Sequence, residues 1–492
     1  MDAWVAVTEP VIPAGVHKWT LGTVIVLAAE TLAVASLAHA IMNARTSAGA
    51  WAWALGLLSF PFVAVPLYWV LGRKKFNGYR QSLREARERH EDLVEEISDA
   101  LEPHFSVLEG EAARFGCVLQ KLSERRFTDG NRVELLVDGR HTFEEIFRAI
   151  DGAKDYLLVQ FFILKEDGFG LEFRDRLIRK ARDGVRVFLL YDEIGSHRLS
   201  KRYLSGLLEA GVVVEAFQST RGRSNRFQIN FRNHRKIVVA DGTVAFVGGH
   251  NVGDEYLGRD PRFGRWRDTH VRLTGPAVQS TQLVFLGDWY WARREAPRLN
   301  WKPAFIDPEG GMTVLPLATG PVDDLEAGTL FFLNSIHCAR ERLWIASPYF
   351  VPDESVRAAL QLAALRGVDV RIMIPEKPDH RTVYLAGFSY LREMEAAGVR
   401  MFRYRDGFLH QKVMLVDDRL ASVGTANLDN RSLRLNFEVS LAVLDREFCR
   451  AVESMLVEDF ENCREIDGRD YSEKPLPFRV AVRLARLAAP VL

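Results

Sequence analysis

Two short runs of this chain carry the residue types of phosphate chemistry at matched spacing. In the first, His234 is followed by Lys236, Asp241, Gly248 and Asn251; in the second, His410 is followed by Lys412, Asp417, Gly424 and Asn427. The offsets from each histidine are +2, +7, +14 and +17 in both copies. With 12 histidines in 492 residues, chance does not supply two copies that also share their downstream glycine and asparagine. In a strand, residues two apart face the same side, so each lysine ammonium stands beside its imidazole while Arg235 and Gln411 point the other way. Asp241 and Asp417, at an odd offset, fall on the face opposite the histidines. Each also opens a turn, Asp241-Gly242 and Asp417-Asp418, which suits a structural anchor better than a catalytic acid.

Two imidazoles and two ammonium groups suit substitution at a phosphodiester. One neutral histidine attacks phosphorus and the other, protonated, donates to the leaving oxygen. Lysines and asparagines hold the non-bridging oxygens as negative charge builds there. This chemistry calls for no cofactor and no metal, and no His-Asp-Glu cluster demands one.

The elements that position these residues are themselves repeated. Residues 156–162 form an apolar strand-like run, followed by a helical pattern and a second run at 184–190; residues 343–346 and 367–372 repeat the arrangement. Ala210-Gly211-Val212 is matched by Ala397-Gly398-Val399. Strands alternating with helices predict α/β lobes with largely buried sheets. The fold class expected is thus α/β, with two duplicated lobes of helix-flanked sheet, at 130–305 and 306–465, meeting in a pseudo-two-fold active site.

Charge is balanced at 65 Lys plus Arg against 65 Asp plus Glu, which leaves no chain-wide basic footprint for nucleic acid. It is also unevenly spread. The 26 residues between Lys18 and Arg45 carry one charge, Glu30, and the 27 between Arg45 and Arg73 carry none. Both stretches reach the ~20 residues that a bilayer-spanning helix needs, so two transmembrane helices are expected within 19–72 after an N-terminal segment, 1–18. Arg73, Lys74, Lys75 and Arg80 crowd behind the second stretch whereas Arg45 stands alone between the two. The positive-inside rule therefore places both the N-terminus and the body in the cytoplasm. Glu30 reads as a helix-packing residue or a contact to a partner helix or headgroup.

Residues 73–129 read as a helical linker whose basic start could hold anionic headgroups, and 466–492 as a tail. In that tail Arg479, Arg483 and Arg486 form a stripe beside Phe478, Val480, Leu484 and Leu487, the pattern of an interfacial amphipathic helix or of a surface helix packed on the second lobe. Cys117, Cys338, Cys449 and Cys463 lie far apart and read as reduced thiols.

The paired His-x-Lys-x4-Asp motifs, each with its Gly-[Gly/Thr]-x-Asn, resemble the phospholipase D superfamily. Two membrane spans ahead of two such lobes resemble the bacterial cardiolipin synthases within it. The runs Asn233–Asp241, Trp266–Val271 and Phe408–His410 strengthen the likeness, which covers roughly residues 20–492. The resemblance implies a bacterial inner-membrane phosphatidyltransferase that joins two phosphatidylglycerol molecules through a phosphohistidine, releasing glycerol. It implies His234 as nucleophile, His410 as acid and then base, and Asp268 and Glu438, downstream of the two motifs, as residues orienting the imidazoles. Asn251, Asn427 and Thr425 are expected on the substrate phosphate. Gly249 stands where the family often has serine, so the first lobe is expected to lack one donor. His197, His250 and His270 read as ordinary polar or core residues. The motifs leave the acceptor open, so water or another alcohol remains an alternative, with an anionic-lipid-binding scaffold as the non-enzymatic one. Acyl preference and homo-oligomerisation are also open.

Overall fold

The computed structural model describes residues 14–44, 46–72, 75–220, 230–307 and 311–492. They form two compact units, one comprising the N-terminal segment and the other both lobes. Residues 1–13, together with Arg45, Arg73 and Lys74 on which the topology reading leans, lie outside the described residues.

In the N-terminal unit, Thr20–Asn43 is the one helix among the described residues long and apolar enough to cross a membrane. Glu30 lies on its exposed face. The second apolar stretch is not one continuous helix. It divides into helices Ser47–Ser59 and Pro61–Leu67 and a π-helical turn, Tyr68–Gly72. Proline is the cause: Pro61 has no N–H to continue the first segment, the residue before it is driven out of helical geometry (Phe60, φ −138°, ψ 60°), and Pro66 weakens the second. The two stretches nonetheless pack on each other. His39 Nδ1 lies 2.6 Å from the Tyr68 hydroxyl and Trp69 Nε1 donates to Ser36 Oγ at 3.0 Å, around a core of Ala40, Leu57 and Ala64.

In the second unit the duplication is explicit. The described residues form a sixteen-stranded sheet that runs outward in corresponding order from a central antiparallel pair, Thr128–Val137 and Met312–Thr319. On the first-lobe side follow Thr269–Thr274, Val244–Gly248, Ile237–Ala240, Tyr156–Phe161, Arg186–Asp192 and Val213–Phe217. On the second-lobe side follow Asn436–Leu444, Leu420–Gly424, Val413–Val416, Arg342–Ala346, Asp369–Pro375 and Arg400–Tyr404, with Cys463–Ile466 added at the edge; the sixteenth strand, Arg232–Asn233 of the first lobe, branches off to pair with Asn436–Leu444. The repeated Ala-Gly-Val tripeptides end matching helices: Gly211 and Gly398 take φ of 90° and 89°, a left-handed conformation that favours glycine.

Helices Ala277–Arg293 and Arg446–Glu461 cover one face of this sheet in a core that draws on both lobes, including Trp289, Trp291, Phe437 and Leu441. Each lobe has its own core on the other face. Strand Tyr156–Phe161 is buried at all six positions, as expected where helices cover both faces. At ~1.5–3 kcal/mol per buried large apolar side chain, such strands make the sheet a stiff support.

The region read as a linker is instead part of this body. It folds into helices Asn77–Arg89, Glu91–Leu101 and Gly110–Ser123. Phe76 and Tyr79 enter the shared core because aromatic burial outweighs solvation of a short helix. Its basic residues are also engaged, Arg80 with Asp324 and Arg87 with Glu124.

Asp241 and Asp417, although part of the His-x-Lys-x4-Asp motifs that carry the catalytic residues, anchor each lobe from the end of the sheet away from the histidines, as their turn-opening positions predict. Both adopt φ of 53°. The Asp241 carboxylate accepts the N–H groups of Lys154, Asp155 and Tyr156 at 2.8–2.9 Å. Asp417 accepts those of Arg340, Glu341 and Arg342. Each carboxylate thus binds the start of the strand that neighbours the one following its histidine. Replacing Asp417 by alanine strands three backbone donors at a cost of about 2 kcal/mol, which in a body of this size should lower the melting temperature by roughly 2 °C. A thermal melt checks this, and an unchanged midpoint would count against the anchor.

Candidate active site

Each His-x-Lys triplet occupies an extended connection between two short strands. Ahead of His234, Arg232–Asn233 pairs in parallel with Asn436–Phe437 of the other lobe; ahead of His410, Phe408–Leu409 pairs in parallel with Trp266–Arg267. The histidine amides continue this exchange, His234 N–H to Phe437 O at 2.9 Å and His410 N–H to Arg267 O at 2.8 Å. Both motifs therefore reach across to the opposite lobe and are held by its backbone.

The carboxylates follow the same exchange. His234 Nδ1 lies 2.8 Å from Glu438 Oε2, and His410 Nδ1 lies 2.7 Å from Asp268 Oδ2. The acid downstream of each motif thus meets the imidazole of the other motif, because the strand that carries it is the one the partner histidine segment pairs with. With Nδ1 turned to a carboxylate, Nε2 of each ring is left for substrate. The lysines lie beside their histidines as alternation predicts. Lys236 Nζ donates to His234 O at 2.6 Å, and Lys412 Nζ donates to His410 O and lies 2.9 Å from His410 Nδ1.

Between each pair, the residue pointing away anchors the segment from below. Arg235 Nη1 donates to Asp288 at 2.8 Å, and Asp288 also accepts from Tyr79, Asn233 and Gln160. Gln411 Nε2 donates to Asp459 at 3.0 Å, and Arg267 binds the same carboxylate. Asp288 and Asp459 are buried supports that motif spacing does not reveal, since they lie on helices far along the chain. Phe162 and Trp266 pack on the rings of His234 and His410 at centroid distances of 5.0 and 5.1 Å.

Thr425 requires correction. Its hydroxyl donates to Glu438 Oε2 at 2.6 Å, so its single proton is spent on the carboxylate and not on a phosphate. Ser432 and the Asn436 amide complete the shell around Glu438. The equivalent Gly249 is not a missing phosphate donor. A Cβ there would lie 2.0 Å from Asp268 Oδ1, so the glycine makes room for the carboxylate. Asn251 donates to the Tyr256 hydroxyl at 3.1 Å and accepts from Ile163 N–H at 3.0 Å, leaving at most its second amide hydrogen for a ligand. Asn427 donates to Asp429, while its Oδ1 has no partner among the described residues. His250 and His270 are buried against one another at 3.2 Å, a core pair as expected.

Burial governs the electrostatics. It lowers the His234 pKa to about 4, with Lys236 acting in the same direction and Glu438 opposing. His410 is likewise lowered, well below the usual imidazole value, by burial and by Lys412 and Lys236. Both rings are thus neutral near pH 7. Burial also brings Lys236 down to about 7, Glu438 opposing and Lys412 assisting, and Lys412 down to about 8 against the pull of Asp268 and Glu438. Glu438, although desolvated, is held below the usual carboxylate range by His234 and Lys236. Among the described residues no group of three or more His, Cys, Asp or Glu forms a metal site.

Two crossed histidine–carboxylate pairs with two buried lysines make a site suited to nucleophilic substitution at a phosphodiester, carried by a two-lobed α/β protein. The family model described as "Cardiolipin synthase, PLD-like domain" matches residues 146–261 and 332–460, and a "Phospholipase_D-nuclease N-terminal" model matches residues 31–73. A cardiolipin synthase A of Pseudomonas putida (strain W619) is 48% identical over 463 residues, covering 94% of this chain and 96% of that protein. A cardiolipin synthase A of Pseudomonas syringae pv. syringae (strain B728a) is 47% identical over 456 residues, covering 92% and 95%. The crystal structure of a phosphatidylserine synthase from Haemophilus influenzae shares the fold with a TM-score of 0.61 at 16% identity, covering 77% of this chain and all of that one. The chain belongs to the cardiolipin synthase family of phospholipase D-like proteins.

Gly249→Ala should push Asp268 off His410 and lower kcat about 100-fold, a loss of the size expected for misplacing a general acid–base, with the fold retained by circular dichroism; wild-type kcat would refute the packing argument. The pH profile gives a second check. A lowered histidine pKa keeps Nε2 unprotonated down to about pH 4, whereas the lysines lose their charge as pH rises through about 7 to 8. The kcat/KM profile should therefore have its acid limb well below 6.5 and fall from about pH 7 upward as Lys236 and then Lys412 lose their protons; an acid limb at 6.5 would contradict the burial effect.

Proposed function

We propose that this protein is a membrane-bound phosphatidyltransferase that condenses two phosphatidylglycerol molecules into cardiolipin and glycerol. The observation that carries this reading is the pair of neutral imidazoles, each turned by a carboxylate of the opposite lobe and flanked by a buried lysine. His234 Nε2 attacks phosphorus of the first lipid, the bond from phosphorus to the glycerol headgroup oxygen breaks, and His410 Nε2 delivers the proton that this oxygen takes up. The entering phosphodiester anion raises the His410 pKa, offsetting Lys412 and Lys236, so that the acid is charged when it is needed. The terminal hydroxyl of a second phosphatidylglycerol then loses its proton to His410. Its oxygen attacks phosphorus as the bond to His234 breaks. Lys236 and Lys412, with the remaining amide hydrogens of Asn251 and Asn427, stabilise the non-bridging oxygens.

The two packed apolar stretches cross the bacterial inner membrane as a hairpin, the second crossing broken at its prolines, and the lobes lie on the cytoplasmic side. Helix Leu476–Leu487 supports seating of the body on lipid. It packs on the second lobe through Phe478, Val482 and Ala485, while Leu476, Val480, Leu484 and Leu487 face outward along one stripe.

Purified protein incubated with phosphatidylglycerol should yield cardiolipin and glycerol in equal amounts by mass spectrometry, and His234→Ala or His410→Ala should each abolish both. Phosphatidic acid as the sole lipid product would replace transfer with hydrolysis, and full activity in either variant would rule out the two-histidine scheme.

A further inference from the structure

The condensation assigned above uses two copies of one lipid in different roles, so a duplicated scaffold must be asymmetric somewhere near its site. The strand ends beside the histidines carry such an asymmetry. Strand Arg186–Asp192 pairs with Val213–Phe217 so that Tyr191 lies opposite Ala216 and Asp192 opposite Phe217. In the second lobe Ile374 lies opposite Arg403 and Pro375 opposite Tyr404. The anchors Asp241 and Asp417 bind the starts of Tyr156–Phe161 and Arg342–Ala346 at corresponding residues, which places Arg403 at the position of Ala216.

Arg403 is buried, 2% exposed, between the rings of Tyr384 and Phe388 at 4.7 and 4.3 Å. Its Nε and Nη1 have no hydrogen-bond partner among the described residues. It lines a pocket with Tyr349, Pro378, Asp379, His380 and Tyr384. The one carboxylate lining that pocket, Asp379, already accepts the Tyr349 hydroxyl at 2.5 Å and the His380 amide at 2.6 Å. A buried guanidinium with free donors is costly unless an anion completes it. The pocket is tied to the motif of the second lobe, since Phe350 in its wall pairs with Leu428, the residue after Asn427. Its wall helix, Arg381–Phe388, packs against Leu476–Leu487, with the Phe388 and Phe478 rings 5.1 Å apart. The pocket thus shares one wall with the strand after Asn427 and another with a helix packed on the one that bears the outward apolar stripe.

We propose that Arg403 is the phosphate-binding residue for the second, acceptor phospholipid, holding its phosphodiester while its terminal hydroxyl reaches the phosphorylated histidine. This rests on the phosphatidyltransferase reading and adds to it a separate acceptor subsite present in one lobe only.

The full-length protein in mixed micelles provides two rates for comparison. Exchange of labelled glycerol into phosphatidylglycerol needs only the donor lipid, whereas cardiolipin formation needs both. In Arg403→Met, which keeps the buried volume, the ratio of cardiolipin formation to glycerol exchange should fall about tenfold, the loss expected for a charge-assisted hydrogen bond, with a raised KM for phosphatidylglycerol. Arg403→Lys, which keeps the charge, should recover part of it and serves if the methionine variant is unstable. An unchanged ratio, or an equal fall in both rates, overturns the assignment. If free phosphate is the true occupant, millimolar inorganic phosphate will alter the wild-type rate and Arg403→Met will remove that effect without changing the KM for lipid; this outcome also overturns it. Wild-type protein that exchanges glycerol but makes no cardiolipin would instead refute the underlying reading.

Discussion

The imidazole of each His-x-Lys motif in this protein is held by the lobe it does not belong to. His234 is bound by Phe437 and Glu438, and His410 by Arg267 and Asp268. Neither lobe contains a complete histidine–carboxylate pair, so the lobes must remain in register for either ring to be oriented. The continuous sheet supplies that register through its central antiparallel pair, and the shared core under helices Ala277–Arg293 and Arg446–Glu461 stiffens it. A hinged pair of domains could not keep two such contacts at 2.7 and 2.8 Å.

The same constraint explains how so much charge is kept out of water. Burying a lone charge costs several kcal/mol, and here two lysines, two carboxylates and two histidines share one site. Neutral histidines remove two of those charges, and each carboxylate is matched by hydrogen-bond donors. Glu438 takes donors from Thr425, Ser432 and Asn436, whereas Asp268 takes the Thr269 amide at 2.8 Å. Beneath the site, Arg235 with Asp288 and Arg267 with Asp459 form a second tier of buried pairs. Removing one member of such a pair leaves an uncompensated charge, which makes the site an all-or-none unit.

Much of this was legible in the chain. The matched offsets identified the paired motifs, strand parity put each lysine beside its histidine and Arg235 and Gln411 behind, and the turn-opening position of Asp241 and Asp417 pointed to their anchoring role. What was not legible depends on contacts between lobes. Offsets of +34 and +28 name Asp268 and Glu438 but cannot say which imidazole each will meet, because strand exchange decides it. Thr425 reads as a phosphate donor until Glu438 is placed beside it. Apolar composition likewise suggested an unbroken second span, while Pro61 and Pro66 impose a local geometry that hydropathy does not register. Phe76 and Tyr79 looked like residues of a solvated connector because their partners, Phe437 and Asp288, lie hundreds of residues away.

The duplication also constrains how the two copies can differ. A two-fold scaffold with identical halves would bind two equal substrates equally, yet one lipid must surrender its headgroup and the other must attack. Differences are therefore concentrated around a common frame. Glycine at 249 makes room for a carboxylate where threonine at 425 hydrogen-bonds one, so the two acids are supported by different means while their imidazoles are held at nearly equal distances. Farther out, Ala216 and Arg403 occupy equivalent strand positions with opposite character. The inner shell preserves symmetry because, in the proposed scheme, both imidazoles act on the same phosphodiester, one at phosphorus and the other at the leaving oxygen. The outer shell departs from it because the two lipids arrive for different purposes.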